Sequence, residues 1–288
     1  MTFVVPAFDE ERGIEGVVRR LFGLRLDAPV EILVVDDGST DGTAAKVEQL
    51  RSEFPALRCV RHGVNKGYGA ALKTGFARAS HAVVVITDAD GTYPEDKIGA
   101  LLARVDDGAD MAVGARTGLD VNIPLVRRPA KACLRLLASF LAGSRIPDLN
   151  SGLRAMRRDL VMRYRPILPN GFSFTTTITL AALTNDHRVD YVEINYAKRS
   201  GSSKIRPIRD TLGFTALIIR TVVYFNPLKV FYPVAALVAL ALAASIYYDV
   251  AVVTPSNLSD KTVLLFVALV QVLSIGLLAD LIEKRSRL

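Results

Sequence analysis

The chain has 288 residues, half of them hydrophobic, with two cysteines, three histidines and a formal net charge of +7. That length holds one large domain plus something smaller. Cys59 and Cys133 form neither a CxxC pair nor a disulfide framework, and His62, His81 and His187 lack metal-ligand spacing, which excludes a disulfide scaffold and a zinc site. The basic surplus fits a solvated surface, an anionic membrane face or a phosphorylated substrate. Without an RNA-recognition or zinc-finger signature, no nucleic-acid partner is expected.

Met1 leads straight into the strand "TFVVPA" with no charged region before it, so no signal peptide is expected. "EERGIEGVVRRLFGL" follows as a helix, with Ile14, Val17, Val18 and Leu21 at helical spacing. "VEILVVDDGS" reads as a buried strand, and "STDGTAAKVEQLRSEF" as a helix opened by capping residues. "LRCVRH" is a strand and "GYGAALKTGFARA" a helix after a glycine-rich turn. "HAVVVITD" is a strand, "YPEDKIGALLARV" a helix with Pro94 at its start, and "DMAVGAR" a strand. Repeated βα units predict an α/β fold with a mostly parallel sheet covered by helices. "RRPAKACLRLLASFLAG" is an amphipathic helix with two open readings, packing on the sheet or lying in a membrane interface. A mixed region over about 145–205 then holds a helix near "FTTTITLAALT" and the strand "RVDYVEIN".

The last third differs. "PIRDTLGFTALIIRTVVYF" is amphipathic and too interrupted by charge to span a bilayer, whereas Val230–Tyr248 and Thr262–Ala279 contain no charge. As helices these runs reach roughly 28 Å, about one hydrocarbon core. The expected domains are therefore 1–205, a cytoplasmic α/β domain; 206–228, a juxtamembrane segment; and 229–288, a transmembrane hairpin. The loop from Asp249 to Lys261 holds one Lys, while the flanks carry Arg206, Arg209, Arg220, Lys229, Lys284, Arg285 and Arg287. By the positive-inside rule both termini face the cytoplasm, on the inner membrane.

Four β-branched residues, Val83 to Ile86, run into Asp88 and Asp90. Residues i and i+2 of extended chain point the same way, so both carboxylates can aim at one point. A hard divalent cation, Mg²⁺ or Mn²⁺, relieves their repulsion and keeps positions open for substrate phosphates. Asp36 and Asp37 end another strand before a turn rich in N–H groups, suited to a base and ribose. "NKGYGAALKTG" is not a dinucleotide fingerprint: Leu72 stands at the third glycine position, and the motif follows the third strand.

Together "VVPAFDEE", "VVDDGSTDGT", "NKGYGAA", "DADGTYPED", "VGAR" and "LNSGLRAMRRD" resemble the family-two glycosyltransferases of GT-A fold, over about residues 2–205. "RSGSSK", the amphipathic stretch and the two apolar runs resemble, more narrowly, the polyprenyl-phosphate glycosyltransferases. The resemblance implies inverting transfer of a hexose from a UDP- or GDP-sugar to a polyprenyl phosphate, for cell-envelope or glycan assembly. It implies that Pro6, Ala7, Asp9, Glu10 and Lys66 line the nucleotide site, that Asp37 contacts the base, and that Asp88 and Asp90 hold the metal. Arg116, with Arg127 or Arg128, would face the acceptor phosphate, and Arg199, Ser203 and Lys204 would engage phosphates from the membrane side. Relatives often carry an amide ligand where this chain has Thr92, so a water would complete the metal's shell. Asp148 sits where some relatives place a proposed base. A lipid phosphate is already ionised at neutral pH, so a positioning role fits Asp148 better. Relatives include tetramers, and Gly276 with Ala235, Ala236, Ala239 and Ala243 permits close helix packing. Two alternatives stay open: a processive polysaccharide synthase, which would use a Q-x-x-R-W motif although this chain has no Trp, and a non-catalytic nucleotide-sugar-binding module.

Overall fold

The computed structural model describes residues 1–26, 28–117, 128–196, 207–252 and 257–286. Seven strands make one sheet: β1 (Thr2–Ala7), β2 (Glu31–Asp36), β3 (Leu57–Arg61), β4 (Val83–Ile86), β5 (Met111–Ala115), β6 (Arg154–Arg157) and β7 (Val189–Glu193). Their order across the sheet is β3-β2-β1-β4-β6-β5-β7. Only β6 runs against the rest, pairing antiparallel with β4 and β5. The other pairings are parallel.

Side-chain alternation divides the core. Phe3, Val5, Ile32, Val34 and Val85 share one apolar cluster with α1 (Ile14–Phe22), α2 (Thr43–Glu53) and α4 (Ile98–Asp106). Leu33 and Val35 point the other way, against Ala71 of α3 (Tyr68–Arg78). Gly75 of α3 leaves no room for a Cβ beside Val4. Burial on both faces explains why β1 and β2 read as continuous apolar runs.

Pro6 sits in a central strand, where a missing N–H should break a ladder. Pairing of β1 with β4 ends at Val4↔Ile86, while pairing with β2 continues to Ala7↔Asp36. Pro6 therefore lies where β4 has already parted from β1.

β6 carries no apolar alternation in "RAMR" and was not expected within the mixed region. α6 (Arg158–Tyr164) follows it directly, and α7 (Phe174–Thr184) forms on the expected segment. Arg154, the first residue of β6, is 0% exposed. Its Nε donates to Ser151 O at 2.7 Å, Nη1 to Thr179 Oγ1 at 2.6 Å and Nη2 to Leu149 O at 3.1 Å. A buried guanidinium so satisfied opens a strand that hydrophobic patterning cannot detect.

The compact units are 1–217 and 218–288, and the division falls inside α8 (Pro207–Phe225), within the segment expected to be juxtamembrane. In the second unit, α9 (Leu228–Ala251) and α10 (Asp260–Ser286) are each long and apolar enough to cross a membrane. Their side chains are mostly exposed, unlike those of a soluble core helix. A Cβ on Gly276 would come within 2.8 Å of Phe231 Cβ, so this glycine serves packing inside the hairpin. At the loop end Asp249 Oδ2 accepts from Ser259 N at 2.9 Å, Ser259 Oγ at 2.8 Å and Thr262 Oγ1 at 2.5 Å.

Glu31, at the amino edge of the sheet, ties three strands together. Its carboxylate accepts Thr2 Oγ1 at 2.6 Å, Ser80 N at 3.0 Å and the Arg58 guanidinium. Burial pushes its pKa up, but those hydrogen bonds outweigh burial and bring it down to about 2. A carboxyl whose folded pKa lies below its unfolded value, about 4.3, stabilises fully above that unfolded value and loses its contribution as pH falls toward 2. Glu31→Gln should therefore lower the melting temperature of the detergent-solubilised protein at pH 7. The gap from wild type should narrow steadily between about pH 5 and pH 2.5 in calorimetric scans; a gap constant across that range would contradict the assignment.

Candidate active site

In an open α/β sheet the crevice forms where consecutive connections leave to opposite sides, outside the carboxyl ends of the strands. Here that point lies between β1 and β4, because β2 flanks β1 on its other side. The expected acidic residues gather at this edge.

One wall is made of two interlocked loops. Asp9 takes a left-handed backbone, φ 55°. Its Oδ1 accepts Thr40 N at 2.8 Å and its N–H donates to Ser39 Oγ at 3.0 Å. Glu10 N–H donates to Thr43 Oγ1 at 2.9 Å. Asp36 and Asp37 are both buried and differ in what they hold. Asp36 accepts Ser39 N at 2.9 Å and has Arg61 Nε 3.1 Å from Oδ2, an ion pair without hydrogen-bond alignment. Asp37 accepts Lys66 N at 3.0 Å and Gly67 N at 2.7 Å, and its Oδ1 lies 2.6 Å from His62 Nδ1. Asp37 thus fixes the loop bearing Lys66, whose residue is exposed. Pro6 and Ala7 form the buried floor, with Ala7 O accepting Asp37 N at 2.8 Å. Between the turn after β2 and the end of β3 lies a recess of about 660 Å³, lined by Ser39, Thr40, Asp41, Arg61 and His62 among others.

The second wall is the turn after β4. Asp88 accepts the Tyr68 hydroxyl at 3.2 Å. A Cβ on Gly152 would stand 3.1 Å from Asp88 Oδ1, so the glycine lets backbone approach this carboxylate. Asp90 Oδ1 accepts both Thr92 N at 3.1 Å and Thr92 Oγ1 at 2.7 Å. Gly91 makes the turn with φ 70°. Burial, then the nearby Asp88 charge, holds the Tyr68 phenol well above its ordinary pKa, so it stays a donor. Among the described residues no three His, Cys, Asp or Glu side chains cluster as a closed metal cage. Two carboxylates at a sheet-edge crevice nevertheless fit the donor set of Mg²⁺ or Mn²⁺, ions that bind through one or two carboxylates plus water and, where present, substrate phosphates.

The third wall joins β5 to the loop before β6. Because β6 runs backwards, the loop entering it arrives at the edge where β5 ends. Asp148 meets Arg116 there in a two-pronged pair, with Nε–Oδ2 at 2.7 Å and Nη2–Oδ1 at 3.0 Å, and it also accepts Arg116 N at 3.1 Å. The guanidinium lies over the Tyr196 ring, 5.2 Å from its centroid, and Tyr196 packs edge-on against Tyr93 at 5.1 Å. Tyr93 in turn accepts Gly152 N at 2.6 Å. Burial opposes ionisation of Asp148, but the hydrogen bonds and charge of Arg116 outweigh it and hold the carboxyl below its usual range.

Arg128 opens α5 (Arg128–Ala142). Its side chain, and Arg127, Arg199, Ser203 and Lys204, lie outside the described residues. Tyr68, Tyr93, Tyr196 and Gly152 were not singled out from sequence. Three of them lie in or beside quoted motifs, but nothing in their spacing marks a carboxylate or guanidinium contact.

Asp148→Asn keeps the shape of the Arg116 pair and removes its negative charge. It should cost about 3 kcal/mol of stability, since a mostly buried guanidinium is left without its counter-ion. Thermal unfolding of the variant beside Arg116→Met/Asp148→Leu, which removes both charges, checks this. The double variant should recover part of the loss.

Residues 2–165 match the family model described as Glycosyl transferase family 2, and residues 226–284 match the one described as GtrB C-terminal hairpin. Polyprenol monophosphomannose synthase of Mycolicibacterium smegmatis is 34% identical over 212 residues, covering 70% of this chain and 79% of that protein. Dolichyl-phosphate hexose transferase of Haloferax volcanii is 29% identical over 208 residues, covering 72% of this chain and 87% of that protein. Glucosyl-3-phosphoglycerate synthase from Mycobacterium tuberculosis, solved with Mn²⁺, uridine diphosphate and phosphoglyceric acid, has a TM-score of 0.57 at 23% identity, over 77% of this chain and 76% of that one. At that identity the likeness shows the shared fold.

Proposed function

Because the chain belongs to glycosyl transferase family 2, we propose that this membrane-associated glycosyltransferase moves a hexose from a nucleotide diphosphate sugar to a polyprenyl phosphate, with inversion. One observation carries the reading. A crevice ending in Asp88 and Asp90 belongs to the same chain as two long apolar helices with exposed sides. A water-soluble donor needs the first and a lipid acceptor the second.

Pro6, Ala7, Asp9 and Glu10 form the nucleotide wall, and Asp37 anchors the loop that brings Lys66 toward the phosphates. Asp88 and Asp90 would hold Mg²⁺ or Mn²⁺, which when bound neutralises charge on the leaving diphosphate. Tyr68 and Thr92 keep those two carboxylates oriented by hydrogen bonds. An oxygen of the acceptor phosphate attacks the anomeric carbon, and the bond from that carbon to the diphosphate breaks. The phosphate is largely ionised at neutral pH, so no base need take a proton from it. Asp148 accordingly acts as the positioning partner of Arg116. The Arg116 Nη1 edge, which Asp148 does not take, is assigned to the acceptor phosphate, with Arg127, Arg128, Arg199, Ser203 and Lys204 as further phosphate ligands.

Two features support a site at a cytoplasmic membrane surface. On α5, Leu136 and Phe140 are 67% and 65% exposed one helical turn apart, beside exposed Arg135, while Ala138 and Leu141 are buried. One face of the helix packs inward, and the other fits the interface reading. The Lys/Arg asymmetry assigns the loop between α9 and α10 to the far side.

Radiolabelled UDP- and GDP-sugars supplied with undecaprenyl phosphate should yield organic-soluble label. EDTA should abolish it, and Asp90→Asn should reduce it by at least about 10²–10³, the scale of removing one electrostatic contact to a developing charge. Turnover unchanged by EDTA, or near-normal turnover in the variant, would refute the metal reading. For topology, a cysteine at exposed Asn257, in a background with both native cysteines replaced by Ser, should react with an impermeant maleimide in intact cells. Labelling only after lysis would reverse the assigned orientation.

A further inference from the structure

The loop from Asp148 to Gly152 connects two groups described above. Asp148 holds Arg116, and Gly152 backs onto Asp88. A sugar undergoing transfer is bonded to the diphosphate and approached by the acceptor phosphate, so it must pass between those two groups. Within the loop Leu149, Ser151 and Gly152 are buried, Asp148 is half-buried, and Asn150 is exposed.

Asn150 is held from both sides. Its N–H donates to Asp148 Oδ1 at 3.0 Å, and its side-chain Oδ1 accepts the Thr176 hydroxyl at 2.6 Å. Thr176 is a completely buried residue of α7. Thr177, Thr179 and Thr184 of the same helix donate their hydroxyls to the carbonyl four residues back. Thr176 instead directs its proton across to Asn150. An amide whose oxygen is engaged from the protein interior turns its NH₂ group outward, with two N–H donors.

We propose that Asn150 reads the transferred sugar: its amide NH₂ donates to a sugar hydroxyl, and Thr176 sets the orientation of that amide. The inference rests on the nucleotide-sugar reading above. A hydroxyl is favoured over a phosphate oxygen because the amide is neutral, and a charged donor for phosphate, Arg116, already stands beside it.

Equilibrium titration in Mn²⁺ separates sugar reading from nucleotide binding without requiring turnover. UDP, UDP-glucose, UDP-galactose, UDP-N-acetylglucosamine, GDP and GDP-mannose are titrated into full-length wild type, Asn150→Ala, Thr176→Val and Thr176→Ser. Asn150→Ala removes both amide N–H donors and adds no charge beside Asp148. It should weaken the best-bound nucleotide-sugar roughly tenfold relative to its parent nucleotide, the scale of one hydrogen bond. The parent nucleotide itself should bind as in wild type. Thr176→Val should reproduce part of that shift, since the amide is then free to turn over, and Thr176→Ser should restore wild-type ratios. Sugar and parent nucleotide weakening together, or no change in their ratio, would each overturn the assignment. Wild type that bound none of the six nucleotides would instead overturn the proposed function. Wild type that bound all sugars no differently from their parent nucleotides would overturn the role of Asn150 alone.

Discussion

Like charges at the carboxyl edge of a parallel sheet are the constraint around which this domain is organised. Parallel strands deliver their ends to one edge, and β1, β2 and β4 each lead directly into acidic residues there. Left alone, Asp36, Asp37, Asp88 and Asp90 would repel one another and lose hydration on burial. The surrounding sequence meets that difficulty with short-range donors. Backbone N–H groups of Ser39, Lys66, Gly67 and Thr92 all point at these carboxylates.

The same donors make the loops rigid. Asp37 ties β2 to the loop after β3, and Asp9 ties the loop after β1 to the turn after β2. Each of these two carboxylates is therefore a brace between neighbouring loops. On the function proposed above, a cation and a diphosphate would complete such an edge electrostatically, and catalysis and domain stability would then draw on the same residues. The opposite edge is built differently: Glu31 sits among Thr2, Ser80 and Arg58, internally paired and closed.

The reversed strand β6 gives the site its third wall. Had it been parallel, Asp148 and Gly152 would have arrived at the amino edge, far from Arg116 and Asp88. Running antiparallel, β6 brings its entry loop to the site, and buried Arg154 holds that loop through the carbonyls of Leu149 and Ser151. One loop thereby touches the carboxylate side and the guanidinium side of the crevice together.

Much of this was legible in the chain order. The βα alternation, the parallel character of the sheet, the acidic strand ends and the two apolar helices follow from side-chain periodicity and from the length of uncharged runs, which are local properties. The motifs around Asp37, Asp88 and Arg116 carried the family resemblance. What the sequence could not disclose is long-range pairing: the existence and direction of β6, the clasp between Arg116 and Asp148, the Tyr68 hydroxyl on Asp88, and the turn of the Asn150 amide toward Thr176. The three side-chain contacts join residues 20 to 32 positions apart across different elements, and the β6 pairings reach further still. Periodicity reports which face of an element is apolar; which polar groups meet is decided only when strand order and direction bring them to one edge.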